Sequence, residues 1–149
     1  MLKPVIRPAT PEDLAGVLAL YRQLNPDDPV LDVAGAGPVW AALLGSGLTT
    51  PFVAEIEGRL VASCTLAIVP NLSRGARPYG VIENVVTDEG HRRAGLGRAV
   101  LEAALDKAWA ADCYKVLLAT GSRRESTLRF YEGVGFTRDA KTYFEIRRP

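Results

Sequence analysis

The stretch from Val81 to Trp109 constrains the fold of this chain most, because a strand, a glycine turn and a helix follow one another in it without a break. The β-branched, apolar segment from Val81 to Thr87 predicts a strand, and Asp88 to His91 are residue types that favour a turn. Beyond Gly97, apolar residues recur at steps of three and four, which predicts a helix with one face against a core. That face comprises Leu96, Val100, Leu101, Ala104, Leu105, Ala108 and Trp109.

The start of this helix is a candidate anion-binding site. The first N–H groups of a helix have no partner within the helix, and they carry partial positive charge. Without a Cβ at Gly95 and Gly97 a phosphate can approach the backbone closely, and Arg92 and Arg93 add formal charge. A diphosphate is the ligand that this pattern favours. We call the whole segment the diphosphate cradle: Arg92, Arg93, Ala94, Gly95, Leu96, Gly97 and Arg98.

Two other phosphate motifs do not fit this segment. The nucleoside-triphosphate loop requires Gly-x-x-x-x-Gly-Lys-Ser/Thr, which does not occur in the chain. The dinucleotide fingerprint requires a third glycine where Val100 stands. The pattern present is Arg-x-x-Gly-x-Gly after a strand. It resembles the pyrophosphate loop of the GCN5-related N-acetyltransferases (GNAT), which bind acetyl-coenzyme A (acetyl-CoA) at this turn.

The resemblance extends over nearly the whole chain. The segment Leu128–Phe136, with Phe-Tyr followed by Gly-Phe, is similar to the family's C-terminal helix-to-strand block, and Ile6–Thr10 is similar to its opening. Within the family, Ile82–Val86 and Cys113–Lys115 resemble glucosamine-6-phosphate N-acetyltransferases. One feature departs from the family: the Asn that often contacts the coenzyme before the tyrosine is absent. Its region holds Arg123, Arg124, Ser126 and Thr127.

The resemblance implies a fold and a set of roles. The fold is α/β of the α+β type, a mixed, mostly antiparallel twisted sheet flanked by helices, as one domain over residues 1–149. The cosubstrate is acetyl-CoA, whose pantetheine arm lies along the central strand, so that main-chain N–H groups of Val85, Val86 and Thr87 face the thioester. Tyr131 protonates the departing thiolate of the coenzyme.

Glu83 is the candidate base that prepares the acceptor amine. It is the only carboxylate in the apolar part of the central strand, where partial burial would raise its basicity and a water could relay the proton. The alternatives are an exposed carboxylate on the solvent face or a carboxylate paired with Arg77. Cys64 has no neighbouring His, so we favour direct attack by the amine over a covalent intermediate.

The remaining segments predict a mixture of helices and strands. The first helix is capped by Thr10 and ends at Asn25, and Gly133 and Gly135 end the last one. The predicted ranges are a strand over 3–7, an irregular loop over 25–38, a short helix over 39–44, a hairpin of strands 52–57 and 60–69, a loop over 70–80, a strand over 114–119, a helix over 123–132 and a final strand over 142–146.

Composition excludes several classes of protein. A net charge of +1 gives no broad footprint for nucleic acid. Residues 1–7 lack the apolar core of a leader and no run is long enough to cross a bilayer, so we expect a cytoplasmic location and no membrane association. Cys64 and Cys113 lack partners at ligand spacing, which argues for buried reduced thiols and against a metal site. His91, the single histidine, is expected at the surface.

The acceptor stays open between several amines. Arg74 and Arg77 would suit a phosphate or carboxylate, as on a sugar phosphate or amino acid, whereas the acidic loop from Asp27 to Asp32 would suit a polyamine or aminoglycoside. We favour the simpler interpretation that both sets are solvated loop charge. A non-catalytic acetyl-CoA sensor is the alternative from another class, and it would need neither Glu83 nor Tyr131. A homodimer through the C-terminal strands, common among similar proteins, would shield Tyr143 and Phe144.

Overall fold

The computed structural model describes residues 3–149, so Met1 and Leu2 lie outside the described part. One sheet has the strand order β1-β2-β3-β4-β5, antiparallel except for the parallel pair β4 and β5, as the predicted mixed sheet requires. The elements are β1 (Val5–Pro8), a 3-10 turn (Pro11–Asp13), α1 (Leu14–Leu24), α2 (Val33–Gly45), β2 (Thr49–Ile56), β3 (Arg59–Val69), the single turn α3 (Ser73–Ala76), β4 (Tyr79–Thr87), a 3-10 turn (Glu89–His91), α4 (Leu96–Ala110), β5 (Val116–Leu117) and α5 (Glu125–Val134).

The two faces of the sheet carry separate cores. Because side chains alternate along a strand, Phe52 and Ala54 of β2 join the core beneath α4, and Val53 joins the core beneath α1 and α2. We call these the α4 face and the α1 face. The predicted stripe of α4 is buried on its face except for Leu105, which is half-buried against that core, and Trp109, which is 51% exposed. Trp109 lies about 100° around the helix from buried Ala108, so it points past the sheet.

The start of α1 is fixed by a buried carboxylate. Asp13 accepts hydrogen bonds from the Thr10 N–H at 2.7 Å and from Arg7 Nη1 at 2.7 Å. Thr10 therefore precedes the helix as predicted, although its first turn is 3-10 in form. Arg7 also contacts Glu55 at 3.2 Å, which joins α1, β1 and β2. The Arg7 guanidinium is the main reason why the pKa of Asp13 is lowered.

Helix α2 begins earlier than the sequence indicated. The predicted irregular loop over 25–38 is irregular only as far as Asp32, whose carboxylate accepts a hydrogen bond from the Gly35 N–H at 2.7 Å. That cap and the burial of Ala36 and Trp40 near α1 stabilise the helix. The glycines and Pro38 of this segment had suggested a loop.

The C-terminal strand predicted over 142–146 is wrong. Residues 137–149, which we call the C-terminal arm, form no strand, and Tyr143, Phe144 and Ile146 are 65%, 87% and 97% exposed. Helix α5 runs through Gly133 and ends at Gly135, and Arg138 is then held on α5 by Glu125 and Glu132 at 2.8 and 2.6 Å. The chain therefore continues from the helix instead of returning beside β5.

The remaining predicted elements are present with shifted ends, and β5 is the most reduced. It spans Val116–Leu117, whereas the apolar run predicted a strand over 114–119. Cys64 and Cys113 are buried free thiols, as predicted. Within residues 3–149, no helix is long and apolar enough to cross a bilayer.

Candidate active site

Strands β4 and β5 diverge and leave an opening in the sheet. Their pairing covers only Gly80 with Val116 and Val81 with Leu117, whereas β4 continues to Thr87. In the part of the chain that the structure describes, β4 therefore has no ladder partner on this side from residue 82 onward. The backbone groups along this edge are available to an extended ligand.

A bulge at Asn84 contributes to the opening. Asn84 has φ 55°, and the register with β3 shifts between Ser63 and Thr65. Before the bulge, Ile82 faces the α4 core and Glu83, paired with Thr65, faces the α1 side. After it, Val85 packs on the α4 side, so the bulge resets the alternation and bends the strand. Sequence analysis missed the bulge, for which the one signal is that Asn tolerates positive φ.

The diphosphate cradle lies where β4 leads into α4. Gly95 has φ 78°, and the first bond of the helix runs from the Ala99 N–H to the Gly95 oxygen at 3.0 Å. The N–H groups of Leu96, Gly97 and Arg98 precede that bond and are available to an anion. They border a cleft of about 360 Å³ lined by Thr87, Arg92, Arg93, Gly95, Leu96, Gly97, Arg98, Phe130 and Val134.

The residues at the cradle fit a diphosphate. A Cβ at Gly97 would lie 3.1 Å from Thr87 Oγ1 and 3.2 Å from Phe130 Cζ, so this close packing admits only glycine without a shift. The cleft combines three arginines with helix N–H groups, the donors that a diphosphate requires. Ala94, Val85 and Val86 do not line it, and Phe130 and Val134 were missed because α5 brings them there from a distant part of the sequence.

Tyr131 follows Phe130 on α5 and packs against the core of the α4 face. Its ring lies 5.1 Å from that of Phe130 and 6.2 Å from that of Phe136, measured between centroids. Burial raises the pKa of the Tyr131 phenol, and the neighbouring Cys64 acts in the same direction. The phenol is therefore protonated at neutral pH and can donate a hydrogen bond.

Glu83 is exposed, so its expected partial burial is wrong. It lies on the α1 face beside Thr65, whose hydroxyl is 3.3 Å from the Tyr21 phenol of α1. The alternative pairing with Arg77 is also wrong, because Arg77 contacts Asp112 at 3.1 Å. Glu83 and Tyr131 thus lie on opposite faces of the sheet.

The turn before the cradle is held by a buried carboxylate. Asp88 Oδ2 lies 2.7 Å from His91 Nδ1, and Asp88 Oδ1 accepts a hydrogen bond from Gln23 Nε2 at 2.8 Å. These contacts, led by that of Gln23, lower the pKa of Asp88 to about 2. His91 is half-buried by this contact, which corrects the expectation that it lies at the surface.

The two charged segments considered for the acceptor have other contacts in the structure. Arg74 and Arg77 precede β4, where the Arg74 guanidinium lies 5.7 Å from the ring centroid of Tyr114. In the acidic loop, Asp32 caps α2. Among residues 3–149, no group of three or more His, Cys, Asp or Glu side chains is arranged to hold a metal ion.

A bulged, diverging β4 that leads into an arginine-glycine helix start defines an enzyme of the acetyltransferase class. The chain matches the model of the acetyltransferase (GNAT) family over residues 17–136, and it belongs to that family. Enzymes of this family take the acetyl group from acetyl-CoA.

Three relatives illustrate the similarity. Glucosamine 6-phosphate N-acetyltransferase of Trypanosoma brucei brucei is 36% identical over 124 residues, which cover 83% of this chain and 82% of the relative. A solved structure from Agrobacterium tumefaciens str. C58, of a protein assigned as an acetyltransferase, has 50% identity and a TM-score of 0.92. The match covers 97% of this chain and 99% of the Agrobacterium chain. The structure of glucosamine-6-phosphate N-acetyltransferase from Arabidopsis thaliana has a TM-score of 0.83 at 25% identity, and the match covers 97% of this chain and 98% of the Arabidopsis chain.

Proposed function

We propose that this enzyme transfers the acetyl group of acetyl-CoA to the primary amine of a small molecule by direct attack. The observation that carries the proposal is the opening between β4 and β5, with Glu83 on one face and Tyr131 on the other. A thioester approaching from the α4 face and an amine approaching from the α1 face would meet at this opening. The cradle at the end of β4 would fix the diphosphate end of the donor.

Each step of the reaction has a candidate group. Glu83, through a water, takes the proton of the ammonium group, and the neutral amine forms the C–N bond. A main-chain N–H between Val85 and Thr87 donates to the carbonyl oxygen as it gains negative charge. The C–S bond then breaks, the nitrogen gives up its second proton to solvent as the amide forms, and Glu83 releases the first proton to solvent. Tyr131 gives its proton to the sulfur and regains one from solvent. Because its pKa is raised, Tyr131 is a weak acid, so it acts on the sulfur first as a hydrogen-bond donor.

Direct attack is also supported by the state of Cys64. Burial raises the pKa of the Cys64 thiol to about 12, and its Sγ lies 3.3 Å from the Val100 oxygen. A thiol held neutral in this way is a poor nucleophile. An acetyl-cysteine intermediate at Cys64 would require a thiolate that this environment disfavours.

An amino sugar phosphate is the first acceptor class to test, because several relatives are named glucosamine 6-phosphate N-acetyltransferases. The measurement is release of free thiol from acetyl-CoA with glucosamine 6-phosphate, glucosamine, amino acids, a polyamine, an aminoglycoside and a peptide. We expect release that depends on the acceptor, and comparing the first two amines shows whether the phosphate is recognised. Binding of acetyl-CoA with no release for any amine would favour a non-catalytic acetyl-CoA-binding module. The cytoplasmic location remains a prediction from the sequence.

Substituting Glu83→Gln tests the base. With the best acceptor, we expect kcat at neutral pH to fall about tenfold, less than the usual contribution of a general base, because Glu83 is exposed and would act through a water. The loss should shrink as the pH approaches the pKa of the acceptor amine, because the amine is then already neutral. The measurement is the pH profile of kcat for both forms. A loss of the same size at every pH would show that Glu83 does not act as the base.

We also propose a homodimer in which each C-terminal arm packs on a second copy. The arm presents Tyr143, Phe144 and Ile146 to solvent, and the outer edge of β5 has no strand beside it within residues 3–149. An extended apolar segment and an open sheet edge are complementary, since a strand added to the edge satisfies both backbones. Covering these side chains removes apolar surface from water.

The dimer is tested by removing residues 139–149. Light scattering should give a dimer for the full chain and a monomer for the shortened chain. The substitution Phe144→Ser, in a chain of full length, should weaken the dimer. Arg138 is kept in both, so its contacts with Glu125 and Glu132 are preserved. A full chain that is monomeric at micromolar concentration would contradict the proposal.

A further inference from the structure

Asp88 is a buried carboxylate with four different residues as partners. Only 4% of the residue is exposed. Its two oxygens accept from Gln23 Nε2 at 2.8 Å, Arg59 Nη2 at 3.4 Å and the Gly90 N–H at 3.2 Å, and His91 Nδ1 lies at 2.7 Å. Both lone-pair sets of the carboxylate are thereby used.

These partners come from three separate elements. Gln23 belongs to the last turn of α1, Arg59 begins β3, and His91 directly precedes Arg92, the first residue of the cradle. Gln23 also accepts a hydrogen bond from the Glu89 N–H at 2.9 Å, and the Asp88 N–H donates to the Val61 oxygen at 2.8 Å. Hydrogen bonds of both its side chains and its main chain therefore fix the turn over residues 88–91.

The cradle needs such an anchor. Its first four residues, Arg92 to Gly95, form an exposed loop in which Arg93 and Gly95 both have positive φ, at 64° and 78°, and such loops are ordered only when their surroundings determine them. Asp88 is also negatively charged close to the cradle, where a free carboxylate would compete with a diphosphate for Arg92 and Arg93. Donors from outside the cradle occupy its oxygens and leave those arginines to the ligand.

We propose that Asp88, held by Gln23, is a positioning residue that sets the cradle for the diphosphate of acetyl-CoA. The inference rests on the proposed function, because it assumes that residues 92–98 bind the diphosphate. Asp88 does not touch the ligand. It acts by fixing where the chain enters the cradle, and helix α1 therefore takes part in coenzyme binding without contacting the coenzyme.

The test compares two acetyl donors. Acetyl-CoA carries the diphosphate, and S-acetyl-pantetheine carries the same thioester without it. For Asp88→Asn we expect the KM for acetyl-CoA to rise about tenfold, the equivalent of one charge-assisted hydrogen bond, and Gln23→Ala should raise it about threefold. For both variants kcat should change little, and kcat/KM with S-acetyl-pantetheine should stay near the wild-type value.

Asp13→Asn is the matched control. Asp13 is 8% exposed, caps the start of the same helix and is bonded to Arg7 and Thr10, but it does not contact the turn over 88–91. It should lower the melting temperature as Asp88→Asn does while leaving the preference for acetyl-CoA over S-acetyl-pantetheine unchanged. If Asp88→Asn does not fold, Gln23→Ala, at a half-buried position, carries the same comparison.

The outcomes separate the two proposals. If the wild-type enzyme uses both donors with the same KM, the cradle does not bind the diphosphate and the proposed function of these residues fails. If the wild-type enzyme prefers acetyl-CoA and the Gln23 and Asp88 variants keep that preference in full, only the positioning role is wrong. Loss of preference in Asp13→Asn as well would show general destabilisation and would also overturn it.

Discussion

Gly97→Val is expected to raise the KM for acetyl-CoA about a hundredfold, the cost of displacing a binding group by about 1 Å. A Cβ alone would already lie 3.1 Å from Thr87 Oγ1 and 3.2 Å from Phe130 Cζ, and the two methyl groups of valine extend further. Either Phe130 moves into the cleft or the start of α4 shifts, and both displace the N–H groups of the cradle. The measurement is the KM for acetyl-CoA in steady state, with calorimetry of acetyl-CoA binding.

Gly45→Val provides the control for this substitution. Gly45 ends α2, and a Cβ there has no atom within 4 Å, so the change adds the same side chain to a helix without crowding. Its KM for acetyl-CoA should equal that of the wild type. Unchanged affinity in Gly97→Val, with the fold intact by circular dichroism, would mean that this turn does not hold the phosphates.

Tyr131→Phe is expected to lower kcat about a hundredfold, the usual contribution of a proton donor placed at a leaving group. The KM for acetyl-CoA should change far less, because the ring and its packing against Phe130 and Phe136 are retained. Burial raises the pKa of the phenol above its ordinary value of 10.0, so the wild-type kcat should not fall on its account until the pH exceeds that value. The variant should lack this alkaline fall.

Tyr114→Phe removes a phenol two residues before β5, where the ring contacts Tyr79 at 6.4 Å between centroids. It should leave kcat and its pH profile unchanged. If Tyr131→Phe turns over as fast as the wild type, the sulfur receives its proton from another group and Tyr131 is only a core residue.

The cradle was predictable because its signals are local. Helix N–H groups, the two glycines and the arginines lie within seven consecutive residues, and their geometry follows from the helix start alone. The same holds for the Thr10 cap and for the buried stripe of α4. Trp109 was predicted on the buried face of α4 but is exposed, because the extent of the sheet beneath the helix is a tertiary property.

The opening of the sheet could not be predicted in this way. The apolar run around Val116 has strand propensity over its whole length, but a ladder forms only where β4 runs beside it. The bulge at Asn84 is defined by the register with β3, which lies about twenty residues earlier in the chain. The exposure of Glu83 likewise depends on where α1 and α2 leave the α1 face uncovered.

The C-terminal arm shows the same limit. The β-branched and aromatic residues of Thr142–Ile146 give strand propensity, and a strand also needs an edge to pair with. The contacts of Arg138 with α5 decide where the arm begins, and they depend on two carboxylates of a helix that precedes it. The strand prediction for this segment was wrong because, in the described part of the chain, no sheet edge pairs with it.

The separation of Glu83 and Tyr131 by the sheet has a kinetic consequence. In the proposed mechanism, donor and acceptor enter from opposite faces of the sheet. Neither then has to leave before the other arrives, and both must be bound when the acetyl group is transferred. Initial-rate plots should therefore intersect, as in a sequential mechanism, and free coenzyme should compete with the donor but not with the amine. In this mechanism the sheet separates the donor from the acceptor, and only the acetyl group passes through the opening between β4 and β5.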